Sequence, residues 1–202
     1  MPQRHSVSSA LLFTILLSIQ AAAADIATVV RQCEDCHGKN GVSDAADAPT
    51  IAGISAPVHG DFLLAYQEKT RPCGRFRHGD MARPETDMCA VAAKLSAADI
   101  EAVANHFAKL PFVAAKQSFD AQKAAAGEKL HTRDCAKCHT KGGRDPADDA
   151  SILGGQHLKY LQQALADFKS GEREQSKKMA EKLAKWSETD IEAVAHYYAS
   201  LQ

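Results

Sequence analysis

The chain has 202 residues, with 24 Lys and Arg against 25 Asp and Glu, six Cys, one Trp and 6% aromatic residues. That length allows one moderate domain or two small ones and excludes a large multidomain assembly. A near-neutral balance with 24% charged and 45% hydrophobic residues describes an ordinary globular chain, without the basic excess of nucleic-acid binders or the polarity of disordered segments.

Residues 1–24 begin with Arg4 and no acid, run through an apolar stretch from Ala10 to Ile19, and end in the alanines Ala21 to Ala24. This is the pattern of a secretory signal peptide cut before Asp25. A membrane anchor is the alternative, but the stretch falls short of the roughly 18–20 apolar residues that a spanning helix needs. No other segment reads as a transmembrane span, so none is expected after cleavage. Cleavage removes Arg4 and takes the net charge from −1 to −2. The mature chain is therefore expected in the periplasm, where cysteines are bridged or covalently occupied.

Beyond the leader the chain repeats itself. Cys33-Glu-Asp-Cys36-His37 recurs as Cys135-Ala-Lys-Cys138-His139, an offset of 102, and Asp99 to Ala104 recurs letter for letter as Asp190 to Ala195, an offset of 91. The first copy is thus 11 residues longer between these landmarks. A period near 100 is too long for a solenoid and fits two tandem domains, 25–112 and 113–202.

In chain order the elements read as helical. Asp61 to Glu68 is the first-copy partner of the amphipathic run Leu158 to Phe168, which stops near Gly171. Ser96 to Asp99 and Ser187 to Asp190 read as capping boxes. Behind them Ile100, Val103, Phe107 and Leu110, then Ile191, Val194, Tyr198 and Leu201, each form one apolar helix face. Pro111 ends the first of these helices, and Phe112 to Ala125 reads as a polar, Ala-rich connector. No alternating β-branched run points to a sheet. The fold expected is all-α, in two tandem domains.

Cys-x-x-Cys-His is the pattern of c-type haem attachment. Two thiols add across the porphyrin vinyl groups, and the following His lies under the iron as its proximal ligand. Cys33, Cys36, Cys135 and Cys138 are then the attachment residues of two haem c groups, and His37 and His139 the proximal ligands. A zinc half-site or a redox dithiol is the alternative for one such motif alone.

For the sixth ligands, Met88 and Met179 each lie 11 residues before the repeated Asp99 and Asp190. A thioether is a soft ligand that favours ferrous iron and raises the potential; the other reading of any single Met is core filling. Met81 has no counterpart. His59, His78, His106, His131, His157 and His196 read as surface or structural residues. Cys73 and Cys89 form an even remainder, expected as a disulfide tying down the Met88 loop, with free thiols as the alternative.

These motifs resemble the soluble dihaem class I cytochromes c, cytochrome c4 and the dihaem subunit of flavocytochrome c sulfide dehydrogenase among them. The second copy is similar to that subunit through Ala115 to Asp120, Gly127 to Leu130, Cys135 to His139, Ile152 to Gln156, Tyr160-Leu161, Asp167-Phe168 and Lys177 to Ala180. The Cys73 to Cys89 segment departs from it. The resemblance implies an electron-transfer subunit, not a catalytic one. It would take electrons from a separate FAD-containing flavoprotein that oxidises sulfide and pass them to a soluble or membrane-bound acceptor. A free-standing c4-type carrier feeding a terminal oxidase is the second reading. A haem peroxidase, needing one iron without its Met, is the third. No Gly-x-Gly-x-x-Gly follows a strand, so flavin binding by this chain itself is not expected.

Overall fold

The computed structural model describes residues 25–74, 84–148 and 150–202. Residues 1–24, which read as a signal peptide, and His78 and Met81 lie outside them. Among the described residues the regular elements are helical.

In the first half, α1 (Ile26–His37) is capped by Asp25, whose carboxylate accepts from the Ala27 amide, and ends at Gly38. After a loop come α2 (Ala56–Gln67), the short α3 (Met88–Ala92) and α4 (Ala97–Ala108). Val29 and Val30 of α1, Ile54, Val58 and Leu63, and Ile100, Val103 and Phe107 of α4 close on one core. In the second half, α5 (Ala121–Leu130) runs into a π-turn at His131–Cys135, a helical turn α6 (Thr140–Gly143), then α7 (Leu158–Ser170), α8 (Lys177–Leu183) and α9 (Glu188–Ser200). Leu161, Leu165, Leu183, Trp186, Ile191, Val194 and Tyr198 form its core.

Both capping boxes form, Ser96 with Asp99 and Ser187 with Asp190, and Gly171 ends α7 at φ 80°. The expected connector is shorter than Phe112 to Ala125. Asp120 accepts from the Gln122 and Lys123 amides and starts α5 at Ala121, because the alanines behind that cap are strong helix formers. At Gly127, α5 lies so close to α9 that a Cβ would run into the Ala193 carbonyl.

The sequence repeat is also a repeat of hydrogen bonds. Ile51 and Ala52 amides donate to the Gly41 carbonyl, as Leu153 and Gly154 amides donate to Gly143. The Gly53 amide donates to Phe107 at 2.9 Å, as Gly155 donates to Tyr198 at 2.8 Å. In each half these bonds tie the loop after the Cys-x-x-Cys-His turn to the last helix.

The halves meet through the start of α7 and the first-half loop 43–50. The Tyr160 amide donates to the Ala46 carbonyl at 3.1 Å, Lys159 pairs with Asp47 at 3.0 Å, and His157 Nε2 donates to the Ser43 carbonyl at 2.9 Å. Gln156, 1% exposed, bonds both backbone groups of Thr50.

Candidate functional site

The first site grows from the end of α1. Its last turn carries Cys33, Cys36 and His37, and neither thiol is in a disulfide. His37 is 8% exposed, and its Nδ1 lies 2.8 Å from the Pro49 carbonyl oxygen. A carbonyl only accepts, so Nδ1 is the donor and Nε2 carries the lone pair. Burial lowers the His37 pKa, against the opposing pull of the Pro49 bond. The ring is therefore neutral at physiological pH, the form a metal requires.

Met88 opens α3. The Asp87 side chain accepts from the Ala90 amide at 2.8 Å, and the Met88 amide donates to the Cys73 carbonyl at 3.1 Å. Cys73 and Cys89 are joined by a disulfide across 16 residues. Met88 and Cys33 are both half-buried against the same first-half core.

The second site repeats this plan with different supports. Cys135 and Cys138 are again outside disulfides, and Cys135 and Met179 pack against the second-half core. Asp134, beside Cys135, receives bonds from Trp186 Nε1 at 3.1 Å, from Lys182 at 3.2 Å and from Arg133 at 2.6 Å. The Arg133 bond, with help from Trp186 and Lys182, holds the Asp134 carboxyl well below the usual carboxylate range. These bonds lash the attachment turn to α8, which carries Met179 behind its Ser176 cap. Thr140 donates from both its amide and its hydroxyl to Asp148, ordering the chain after His139. His139 is half-buried, and its Nδ1 is buried without a hydrogen-bond partner.

Burial pushes the Cys33 and Cys135 thiols up to about 11. A reactive redox dithiol depends on the opposite shift. Of the remaining histidines, His131 Nδ1 bonds the Tyr198 hydroxyl at 3.0 Å, His196 Nδ1 accepts from the Asp120 amide at 3.0 Å, and His157 serves the interface. His106 stacks edge-on against Phe107. His59 is buried on α2 with Nδ1 unpartnered, where the repeat places the core residue Leu161 in the second half.

Two further residues join the site that the motifs do not single out. Arg71 and Arg173, each 7% exposed, stand at the same offset of 102, a signal the repeat already contained. The Arg71 guanidinium lies 4.6 Å from the ring centroids of Phe62 and Tyr66, and that of Arg173 lies 4.1 Å from Phe168 and 5.2 Å from Phe62. Arg71 also donates to the Tyr160 hydroxyl at 3.3 Å. Both line a cleft of about 430 Å³ between the halves, with Phe62 and Phe168. No carboxylate pairs with either among the described residues. Buried cations require counter-charges, and haem propionates are of the required sign. The donor set fits the group: in each half two unbridged thiols, an imidazole that is buried in the first half and half-buried in the second, a thioether on the same core and a buried guanidinium.

Comparison with known proteins agrees. Residues 23–111 match the family described as Cytochrome c, and residues 122–197 the family described as Cytochrome C oxidase, cbb3-type, subunit III. A cytochrome c4 of Stutzerimonas stutzeri is 30% identical, over 98% of this chain and 99% of that protein. The thiosulfate dehydrogenase electron acceptor of Thiomonas intermedia is 27% identical, over 85% of this chain and 78% of that protein. The crystal structure of reduced recombinant cytochrome c4 from Pseudomonas stutzeri superposes with a TM-score of 0.70 at 27% identity, over 89% of this chain and 100% of that one. With a relative matched end to end and a Cys-x-x-Cys-His turn in each half, the chain belongs to the cytochrome c4 family, electron-transfer proteins with two cytochrome c domains and two haem c groups.

Proposed function

We propose that this chain is a periplasmic relay that takes electrons from a dehydrogenase for reduced sulfur compounds and passes them to a further acceptor. Cys33 and Cys36 would hold the first haem and His37 and Met88 would ligate its iron; Cys135 and Cys138 would hold the second, with His139 and Met179 as its iron ligands. The observation that carries this ligand set is that each half packs a Cys-x-x-Cys-His cysteine and a methionine against one core, beside a histidine whose pKa burial lowers. Bound haem supplies a one-electron ferric/ferrous couple. The chain does the rest: His37 keeps Nε2 free by spending its proton on Pro49, Met88 and Met179 bias the couple toward the reduced form, and Arg71 and Arg173 neutralise propionate charge. With these four side chains on the two irons, substrate would have no coordination site, in keeping with a carrier and not a peroxidase.

For the donor, the likeness of the second domain to the flavocytochrome subunit favours an FAD-containing sulfide dehydrogenase. A second reading, thiosulfate dehydrogenase, has its own support in the relative named as that enzyme's electron acceptor. Among the described residues no helix is long and apolar enough to cross a membrane. The test is purification from the native periplasm with haem and flavin absorption spectra, then reduction assays. Co-purifying flavin and reduction by sulfide support the first donor; flavin-free protein reduced by thiosulfate with its dehydrogenase supports the second. Reduction by neither dehydrogenase refutes the relay.

A further inference from the structure

The two attachment turns repeat in sequence, yet their histidines are held differently. His37 Nδ1 donates to the Pro49 carbonyl, whereas His139 Nδ1 has no hydrogen-bond partner among the described residues. The Pro49 carbonyl and the Thr50 N–H belong to one planar peptide unit. That N–H donates to Gln156 Oε1 of the second domain at 2.9 Å, and Gln156 Nε2 donates back to the Thr50 carbonyl at 2.7 Å. Gln156 and Thr50 are each 1% exposed, so water does not compete for these bonds. A continuous chain therefore runs from Gln156 through the Pro49–Thr50 peptide to the ring of His37. The Ser43 amide reinforces it by donating to Thr50 Oγ1 at 3.1 Å. The position equivalent to Gln156 in the first domain is Ile54, which has no amide with which to make a reciprocal clamp.

We propose that Gln156 of the second domain is a positioning residue for the axial histidine of the first haem: by gripping the Pro49–Thr50 peptide it aims the carbonyl that holds His37. The inference rests on His37 being an axial ligand. An Nδ1–H bond to a fixed carbonyl raises the basicity of the ligating nitrogen, which favours ferric iron and lowers the potential. The bond that the Thr50 N–H donates to Gln156 Oε1 also polarises the peptide, strengthening its carbonyl as an acceptor. The first haem's potential thereby depends on contact with the neighbouring domain, while the second haem has no such control.

The test is a redox titration of the full dihaem protein, with NMR of the axial histidine Nδ1 protons assigning each potential to its haem. Gln156→Met, close in size and uncharged, removes both bonds. It should raise the reduction constant of the first haem by up to about tenfold, or about 59 mV for a one-electron couple, move the His37 Nδ1 proton resonance and leave the second haem unchanged. Gln156→Ala should shift the same haem in the same direction, so either variant alone decides if the other fails to take up two haems. Lys159→Ala, which breaks only the surface pair with Asp47, should shift neither. Equal shifts of both haems, no shift in a fully loaded variant, or an equal effect of Lys159→Ala would overturn the proposal. His37→Ala tests the underlying reading separately: if it leaves two low-spin haems, the ligand assignment is wrong whatever Gln156 does.

Discussion

Replacing Cys73 and Cys89 together with serine removes the one covalent tie on the loop that carries Met88. The bridge closes a separation of 16 residues, and in the chain-entropy model a loop of that size contributes about 3 kcal/mol. The local consequence is larger than that figure suggests. Met88 follows the Asp87 cap directly and hydrogen-bonds the Cys73 carbonyl, so the bridge holds both ends of the contact that places the thioether. α3 spans only Met88–Ala92, too short to be stable by itself. The double variant should therefore lose about 3 kcal/mol in denaturant unfolding of the haem-loaded protein. It should also lose part of the ferric charge-transfer absorption that reports Met ligation, from one haem and not the other. Unchanged unfolding together with a full Met-ligation signal would refute the view that the bridge anchors Met88 as the proposed ligand.

Met179→Ala should convert one of two low-spin haems to high spin, read by ferric absorption or electron paramagnetic resonance; two low-spin haems would reject Met179 as a ligand. Gly127→Ala drives a Cβ into the Ala193 carbonyl and to 2.8 Å from Tyr197 Cβ. It should destabilise the second domain by about 3 kcal/mol, the upper end for overpacking, measured by hydrogen exchange in α5 and α9. Asp134→Asn tests the lashing of α8. The folded-state pKa of Asp134 is depressed, so its contribution to stability is complete above the unfolded carboxyl value of about 3.9 and fades as pH falls below it. The variant should be weaker than the parent at pH 7, the gap closing in acid. A gap independent of pH in denaturant titrations would show that the charge is not what matters.

The parts of this protein written in the sequence are those set by short-range geometry. Two thiols and an imidazole within five residues, a Ser-x-x-Asp cap and a glycine at a helix end each impose their structure on their immediate neighbours. The two-domain organisation was legible for a related reason, because a duplicated chain can be compared with itself, and Met88 and Met179 stand out by their equal distance from the repeated helix. Even here local reading had limits: Ala121 to Ala125 look like linker until the Asp120 cap is seen to close on the Gln122 and Lys123 amides.

Contacts between the halves were decided only by the tertiary structure. Gln156 and Thr50 lie 106 residues apart, and no spacing rule links a glutamine in one domain to a peptide in the other. Arg71 and Arg173 look in sequence like ordinary surface charges. Their burial follows from the halves packing so that rings from both sides enclose them. The sequence by itself determined two tandem helical domains and the Cys-x-x-Cys-His motif that each carries. The fold decided how firmly each site is held and from which domain, because hydrogen-bond support and desolvation depend on neighbours brought together by the whole chain.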